Sequence, residues 1–556
     1  MKQVKYIFVS GGVLSGLGKG IASASIGLLL KSRGFRVTPV KCENYLNVDS
    51  GLINPIEHGD PFLCEDGTEA DMDLGTYERF LDQNMGSENF VTMGQIYKQV
   101  IDNERAYKYR GEDVDAVPFV TAEIIRRIKL AADKDRAEIV IVELGGTTGE
   151  YQNVLYYEAA RQMELMDIKS GDGQKVIHIH VSYLPIPKHL GEPKTKPTQL
   201  SVRTLMSMGI RPDFLIARCE KEIDERRRYL LAQTCNVRDE NIISSPDVKS
   251  IYEVPMVFSK QDLDKKILKE LGFNSSKQNL GQWKNLVSSI KVKKMKMATV
   301  AVVGKYFHTG KEFMLADSYA ALFEALKHAA WNRKIELTIK WVSAEKVEVE
   351  GADKFLADAD GIIVPIGWGV RGAEGKIKAI RFARENKVPY LGLCYGMQLA
   401  CVEFARNVLG LSKANTTEND PATADPIIAD IPERPELMRI KSKGVGMRLG
   451  GWEFQVKTGT LIDKIYKSYN IYKDRKNRIG SVRHRHRYEF NNKYREIFEK
   501  NKMVMAAIST KGNFVDWIEL PQSVHPFFIG TQGHPEYSSR PLKPHPVFVE
   551  FLNACV

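Results

Sequence analysis

The segment Tyr6-Ile7-Phe8-Val9-Ser10-Gly11-Gly12-Val13-Leu14-Ser15-Gly16-Leu17-Gly18-Lys19-Gly20-Ile21 decides the fold class. Its apolar start reads as a buried strand, and the apolar periodic run from Ile21 reads as a helix. Between them lies a glycine-rich loop that ends in a lysine. Glycines let backbone N–H groups approach an anion, the helix N-terminus favours negative charge, and Lys19 reaches the outer phosphates of a nucleotide. A glycine turn without a ligand is the plain alternative; the lysine between strand and helix favours phosphate. The loop departs from the usual pattern in two ways. Five residues separate Gly12 from Gly18, and Gly20 stands where a Ser or Thr hydroxyl would ligate Mg²⁺.

With no hydroxyl at position 20, a metal needs carboxylates from elsewhere. Glu143 follows the apolar run Ala137–Val142, the place of an acid at the end of a buried strand, and precedes the turn Gly145-Gly146. Asp73 closes the acidic stretch Glu65–Asp73, which by itself reads as a solvated loop. Mg²⁺ takes one or two carboxylates together with substrate phosphates, so the pair suffices.

Outward from this motif, strand-like runs recur at Arg36–Val40, Glu138–Val142, Val176–Val181 and Phe214–Ala217, alternating with helical periodicity. That rhythm predicts an α/β domain built on a parallel sheet. It breaks in a polar stretch after Phe273 and restarts at Ala298–Val303, continuing through Gly361–Val364 and Tyr390–Leu393. The reading is a domain over 1–272, a linker over 273–297 and a second α/β domain over 298–556.

At 556 residues the chain has room for two such domains. Apolar residues make up 43% and charged residues 27%, a globular composition with no run approaching the ~18–20 apolar residues of a membrane span. The start, Met1-Lys2-Gln3-Val4-Lys5, leads straight into a strand, so no secretory signal is expected. Seven cysteines without a CxxC pair point to a reducing compartment rather than to disulfides or structural zinc. The net charge of +11 suits polyanions. The basic runs are short and carry no interleaved aromatics, so small phosphate-bearing substrates are expected rather than nucleic acid.

The second half holds a cysteine elbow. Strand-like Val388–Leu393 runs into Cys394-Tyr395-Gly396-Met397-Gln398 and then a helix. A cysteine on a sharp strand-to-helix turn lies at a helix N-terminus, which favours the thiolate. Gly533-His534-Pro535-Glu536 supplies a base and a carboxylate to orient it. Cys401 reads as a small core hydrophobe. His484 and His486 point to one side only on a strand, and a metal there is a minor reading.

Together the segments Gly11–Ile21, Asn47–Asp49, Asp71–Phe80, Glu143–Gly149 and Lys194-Thr195-Lys196-Pro197-Thr198-Gln199 resemble the amidoligase part of the CTP synthase family. The cysteine elbow with Gly533–Glu536 resembles the class I glutamine amidotransferase part, in the family's order. The resemblance implies a P-loop-type amidoligase fold followed by an α/β amidotransferase fold, and a cytoplasmic enzyme that aminates UTP to CTP. It assigns Gly16, Leu17, Gly18, Lys19, Gly20, Ile21 and Asp73 to ATP, Asp73 and Glu143 to Mg²⁺, and a catalytic role to Lys19. Ser15, Lys41, Glu150, Tyr151, Gln152 and Lys194, Thr195, Lys196, Pro197, Thr198, Gln199 fall to UTP or to the feedback inhibitor CTP. The hexapeptide, taken as extended, would reach the UTP phosphates of a neighbouring subunit in a homotetramer, and GTP is implied as an allosteric activator. Cys394, His534 and Glu536 become the glutaminase triad. Gly367 becomes the oxyanion glycine, with Tyr395, Gly396, Met397, Gln398, Glu418 and Arg487 holding glutamine. Neither a membrane nor nucleic acid is implied as a partner. The rival readings are another glutamine-dependent amidoligase and a polymer-forming, catalytically weak regulatory relative.

Two departures from the family pattern carry expectations. Pro365-Ile366-Gly367-Trp368-Gly369 places a β-branched residue where the family has glycine, and Ile366 is expected to resist any positive φ required there. Glu150-Tyr151-Gln152 keeps one acid where the family has two.

Overall fold

The computed structural model describes residues 4–54, 59–170, 176–274, 276–292, 294–305, 308–309, 313–314, 316–430, 439–440 and 446–556. Two compact units result: Met1–Leu52 with Ala70–Val287, and Ile53–Glu69 with Ser288–Val556. Positions 275 and 293 of the expected linker lie outside the described residues.

The first unit is built on a seven-stranded sheet. In chain order its strands are β1 (Lys5–Gly11), β2 (Val37–Glu43), β3 (Phe90–Thr92), β4 (Ile139–Leu144), β5 (Val176–Tyr183), β6 (Phe214–Cys219) and β7 (Ile242–Pro246). They lie in the order β3-β2-β4-β1-β5-β6-β7 with every pairing parallel. Sheets of this kind are covered on both faces, so their strands read as continuous apolar runs. β1 and β4 are buried along their whole length. The loops at the C-terminal ends of β1, β2, β4 and β5 carry most of the residues singled out in the first half, where open α/β sheets bind ligands.

Three helices frame that edge: α1 (Lys19–Lys31), α2 (Met72–Leu81) and α3 (Lys196–Ser207). The small residues Ala22, Ser23, Ala24 and Ser25 are buried on α1. Gly27 lets α1 lie close to α2, since a Cβ there would sit 3.2 Å from Leu81. A further helix, α4 (Gly281–Lys291), falls within the span read as a linker.

The second unit has a mixed ten-stranded sheet. Its main strands are β8 (Lys296–Gly304), β9 (Ile335–Ser343), β10 (Gly361–Val364), β11 (Tyr390–Leu393), β12 (Gly446–Val456), β13 (Ile479–His486), β14 (Val504–Ser509), β15 (Val515–Glu519) and β16 (Phe528–Thr531). The order β9-β8-β10-β11-β16 is parallel, and β15, β14 and β12 extend it antiparallel, with β13 paired to β12. Helices α5 (Ala373–Glu385) and α6 (Tyr395–Asn407) cover one face. The strand register assembles the site. Val364 lies opposite Gly392, and Leu393 lies opposite Thr531. The residues that follow β10, β11 and β16, including Gly367, Cys394 and His534, therefore emerge together.

Candidate active sites

In the first unit, α1 is preceded by Gly18 as its N-cap, whose φ of 85° only glycine adopts freely. No side chain caps this helix and its first turn carries no acid. Its first N–H groups are left for an anion. Lys19 Nζ donates to the Gly146 carbonyl at 2.6 Å, tying the loop to the turn after β4. Val13 sits at φ 84°, a costly conformation for a β-branched residue, inside the same loop. Ser15 is exposed beside it.

Lys41 and Glu143 are directly opposite on β2 and β4. Lys41 Nζ donates to Glu143 Oε1 at 2.8 Å, lies 3.3 Å from Glu43, and also contacts Asp73. The Tyr77 hydroxyl donates to the other Glu143 oxygen. Burial pushes Glu143 up, against the pull of Lys41, and pushes Glu43 up to about 7. Burial also acts on Asp73, but Lys41 and Lys19 outweigh it and hold that carboxyl below its usual range. Burial and Lys41 lower the Lys19 ammonium. Lys41, read from sequence on the pyrimidine side, thus bridges the carboxylates.

Gly20 has a positive reason to be glycine. A Cβ there would lie 2.1 Å from Asp73 Oδ1. The space a Ser or Thr would fill is occupied by a carboxylate that Lys41 holds in place. Asp73 is 31% exposed and Glu143 1%. This hard-oxygen pair fits Mg²⁺ that completes its shell with phosphate oxygens. Among the described residues no group of three or more His, Cys, Asp or Glu is arranged to hold a metal alone.

Beside the glycine loop lies a cavity of about 290 Å³ lined by Gly16, Leu17, Gly18, Ile21, Ala22, Arg218, Asp247, Val248, Ile251 and Phe258, among others. The residues from 218 onward were missed from sequence. Their signal was weak: an arginine near the end of β6 and an aspartate just after β7, which pair at 2.9 Å.

The hexapeptide differs from expectation. It is not extended, because α3 starts at Lys196 with Pro197 in its first turn, where proline's fixed φ suits a helix. Thr195, Thr198 and Gln199 are buried, and Thr198 donates to the Tyr183 carbonyl at 3.0 Å. Lys196 is exposed, and Lys194 is half-buried beside Glu192. α3 reaches the phosphate loop: a Cβ on Gly12 would lie 1.4 Å from Ser201 Oγ. Glu150 accepts from Thr147 N at 2.7 Å and from Asn44 at 2.8 Å, so it caps its own turn. Tyr151 is 99% exposed, and Gln152 is exposed beside it.

In the second unit, Cys394 has φ 52° and ψ −103°, a strained elbow between β11 and α6. Gly396 permits it, since a Cβ there would lie 1.9 Å from the Val364 carbonyl oxygen. His534 Nδ1 bonds Glu536 Oε1 at 2.7 Å, and among the described residues Nε2 makes no hydrogen bond. Burial opposes the imidazolium, but Glu536 and Cys394 raise His534 to about 10. A charged imidazolium beside the cysteine is the acid that a leaving amine needs. Gln532 Nε2 donates to Cys394 Sγ at 3.7 Å, a contact that sequence reasoning missed.

Glu418 is raised by burial against Lys305 and Arg487, and among the described residues its Oε2 makes no hydrogen bond. A carboxylate and a guanidinium in one neighbourhood suit the ammonium and carboxylate of an amino acid. Tyr395 donates to the Gly369 carbonyl at 3.3 Å, and Gln398 to the Tyr488 carbonyl at 2.9 Å. The Met397 side chain lies in the core, so only its backbone is available to a ligand. Ile366 does not stand at positive φ; Gly367 does, at 147°. Ile366 packs in an apolar cluster instead, so the expected backbone penalty does not arise.

His484 and His486 do lie on one side of β13, bonded to each other at 2.9 Å, and burial lowers both. Arg483 and Arg485 are held within this unit by the 53–69 segment. Arg483 donates to the Leu63 carbonyl at 2.9 Å and Arg485 to Glu69 at 2.7 Å.

A sequence profile described as CTP synthase N-terminus matches residues 5–273, and one described as glutamine amidotransferase class-I matches 314–554. A CTP synthase of Caldanaerobacter subterraneus is 46% identical over 99% of this chain and 98% of its own. The chain belongs to the CTP synthase family. The CTP synthase of Sulfurisphaera tokodaii is also 46% identical, covering 99% of each chain. The CTP synthase of Staphylococcus epidermidis is 43% identical over 100% of this chain and 99% of its own. Among solved structures, the CTP synthase glutaminase domain of Trypanosoma brucei with bound acivicin is 32% identical. It covers 46% of this chain and 93% of that domain, at a TM-score of 0.40.

Proposed function

We propose that this enzyme aminates UTP to CTP, driven by ATP, with ammonia taken from glutamine. The observation that carries the reading is the full-length match to CTP synthases at 43–46% identity, which spans both units. The geometry suits each half-reaction. In the first unit the cavity beside Gly16–Gly18 accepts a nucleobase, and the open N-terminus of α1 with Lys19 receives the triphosphate. The γ-phosphoryl group passes to O4 of the uracil ring, ammonia attacks C4, and phosphate leaves. Lys19 and Lys41 offset charge on the transferring group, a matter of positioning and electrostatics. Asp73 and Glu143 are the residues that would hold Mg²⁺, which when bound neutralises phosphate charge.

In the second unit the Cys394 thiolate attacks the carboxamide of glutamine and His534 delivers its proton to the leaving ammonia. Glu536 orients the imidazole, and Glu418 and Arg487 hold the amino-acid end. Water then releases glutamate from the thioester. The hexapeptide Lys194–Gln199, with Lys196 exposed, serves the UTP triphosphate of a neighbouring subunit in a homotetramer. Glu150, Tyr151 and Gln152 receive CTP as feedback inhibitor, and GTP activates. A cytoplasmic setting suits the seven free cysteines, and among the described residues no helix is long and apolar enough to cross a membrane. The test is CTP formation from UTP and ATP, supplied with glutamine or with ammonium. Absence of CTP in both arms overturns the reading.

A further inference from the structure

The loop after β10 has its carbonyl groups held by two lysines. Lys305 donates to the carbonyl of Trp368 and, at 3.2 Å each, to those of Gly369 and Arg371. Lys376, on α5, is wholly buried, and no carboxylate pairs with it among the described residues. Its Nζ donates to Pro365 O at 2.8 Å and to Ile366 O at 3.3 Å. The Tyr319 hydroxyl donates to the same Ile366 oxygen at 3.0 Å.

Burial pushes Lys376 well below the usual lysine range, with Lys305 adding to this and Cys394 and Asp60 opposing it. A buried amine whose bonds all go to carbonyl groups holds those groups in place. In a planar trans peptide the C=O and N–H point in opposite directions. Fixing Ile366 O toward Lys376 and Tyr319 aims the Gly367 N–H away from them. Among the described residues, nothing accepts from that N–H. It emerges beside the cysteine elbow because Val364 lies opposite Gly392. Glycine suits this spot because its φ of 147° is one that side chains rarely adopt, and a Cβ would also press on Lys376 Nζ at 2.8 Å.

We infer that Lys376 is a positioning residue that locks the Ile366–Gly367 peptide so that its N–H receives the oxyanion formed at Cys394, with Tyr319 as second anchor. The inference rests on the glutamine-hydrolysing reading of this unit.

The experiment uses the full-length enzyme and the variants Lys376→Met, Lys376→Gln and Tyr319→Phe. Each is assayed for kcat and KM of glutamine hydrolysis and for the rate at which iodoacetamide alkylates Cys394. Alkylation needs the thiolate but no oxyanion donor. Lys376→Met is expected to lower kcat about 10- to 100-fold, since a misplaced oxyanion donor costs much of what a deleted one does. KM and alkylation stay unchanged. Lys376→Gln, which keeps an N–H donor, recovers part of the loss, and Tyr319→Phe shows a smaller loss of the same kind. Unchanged kcat in Lys376→Met overturns the inference. So does a parallel fall in alkylation, which would place the lysine's effect on the thiolate itself. If Lys376→Met does not fold, Tyr319→Phe decides, and an unchanged kcat there is equally fatal. A wild-type enzyme that forms CTP from ammonium yet hydrolyses no glutamine overturns the underlying reading instead.

Discussion

Cys394 and His534 have separable consequences. On the proposed division of labour Cys394 serves only ammonia release, so Cys394→Ala is expected to abolish glutamine-dependent CTP synthesis and leave ammonium-dependent synthesis largely intact. Equal loss of both activities would contradict the division of labour. His534 makes a claim about pH. Its folded-state pKa, raised to about 10 by Glu536 and Cys394 against burial, exceeds its unfolded value near 6.5. A raised pKa stabilises the fold fully below pH ~6.5; the contribution then shrinks as pH rises and is gone above ~10. The melting temperature of wild type relative to His534→Asn should therefore converge between pH 7 and 10.5. A gap that stays constant over that range would show that the imidazole is not held charged.

At the scale of elements, strand register does most of the placing. β2 and β4 set Lys41 opposite Glu143, and the start of α2 brings Asp73 to the same ammonium. Asp73→Asn or Glu143→Gln should each slow ammonium-dependent synthesis on the order of 10²-fold or more, because the Mg²⁺ these acids would hold is then bound less well and phosphoryl charge goes uncompensated. Near-normal turnover in both variants would remove them from the reaction. Legibility also divides by element. β1, β4, β10 and β11 stood out in the sequence because a strand covered on both faces is a continuous apolar run. The edge strand β3 is only three residues long and β9 alternates with charge, so neither announced itself. The hexapeptide was misread as extended because proline at a helix's first turn looks like a break. Cys394, His534 and Glu536 stood out because they sit in compact motifs. Lys305, Lys376 and Gln532 did not, since their roles come from carbonyl groups and a thiol that only the folded chain brings near.

For the molecule as a whole, the net charge of +11 favours triphosphate substrates, and the proposed regulation lets the product act back on the enzyme. Glu150 is already engaged by Thr147 and Asn44, so the exposed amide of Gln152 is the group free to meet the CTP amine. Gln152→Glu restores a charged acceptor there. The gain of roughly 1–3 kcal/mol corresponds to about 5- to 150-fold tighter CTP inhibition. Competition with UTP is expected to persist. An unchanged or weaker inhibition constant would show that position 152 does not read the amine.

Gly20 and Asp73 also bear on how such a site can change over evolutionary time. A serine arriving alone at position 20 would strike the carboxylate that Lys41 holds 2.1 Å from the new Cβ. A shortened side chain arriving alone at 73 would strip the site of an acid while offering no hydroxyl in return. Each single step leads downhill, and only the pair together could restore the commoner loop. The two positions are therefore coupled by geometry, so that a side chain at 20 calls for a change at 73.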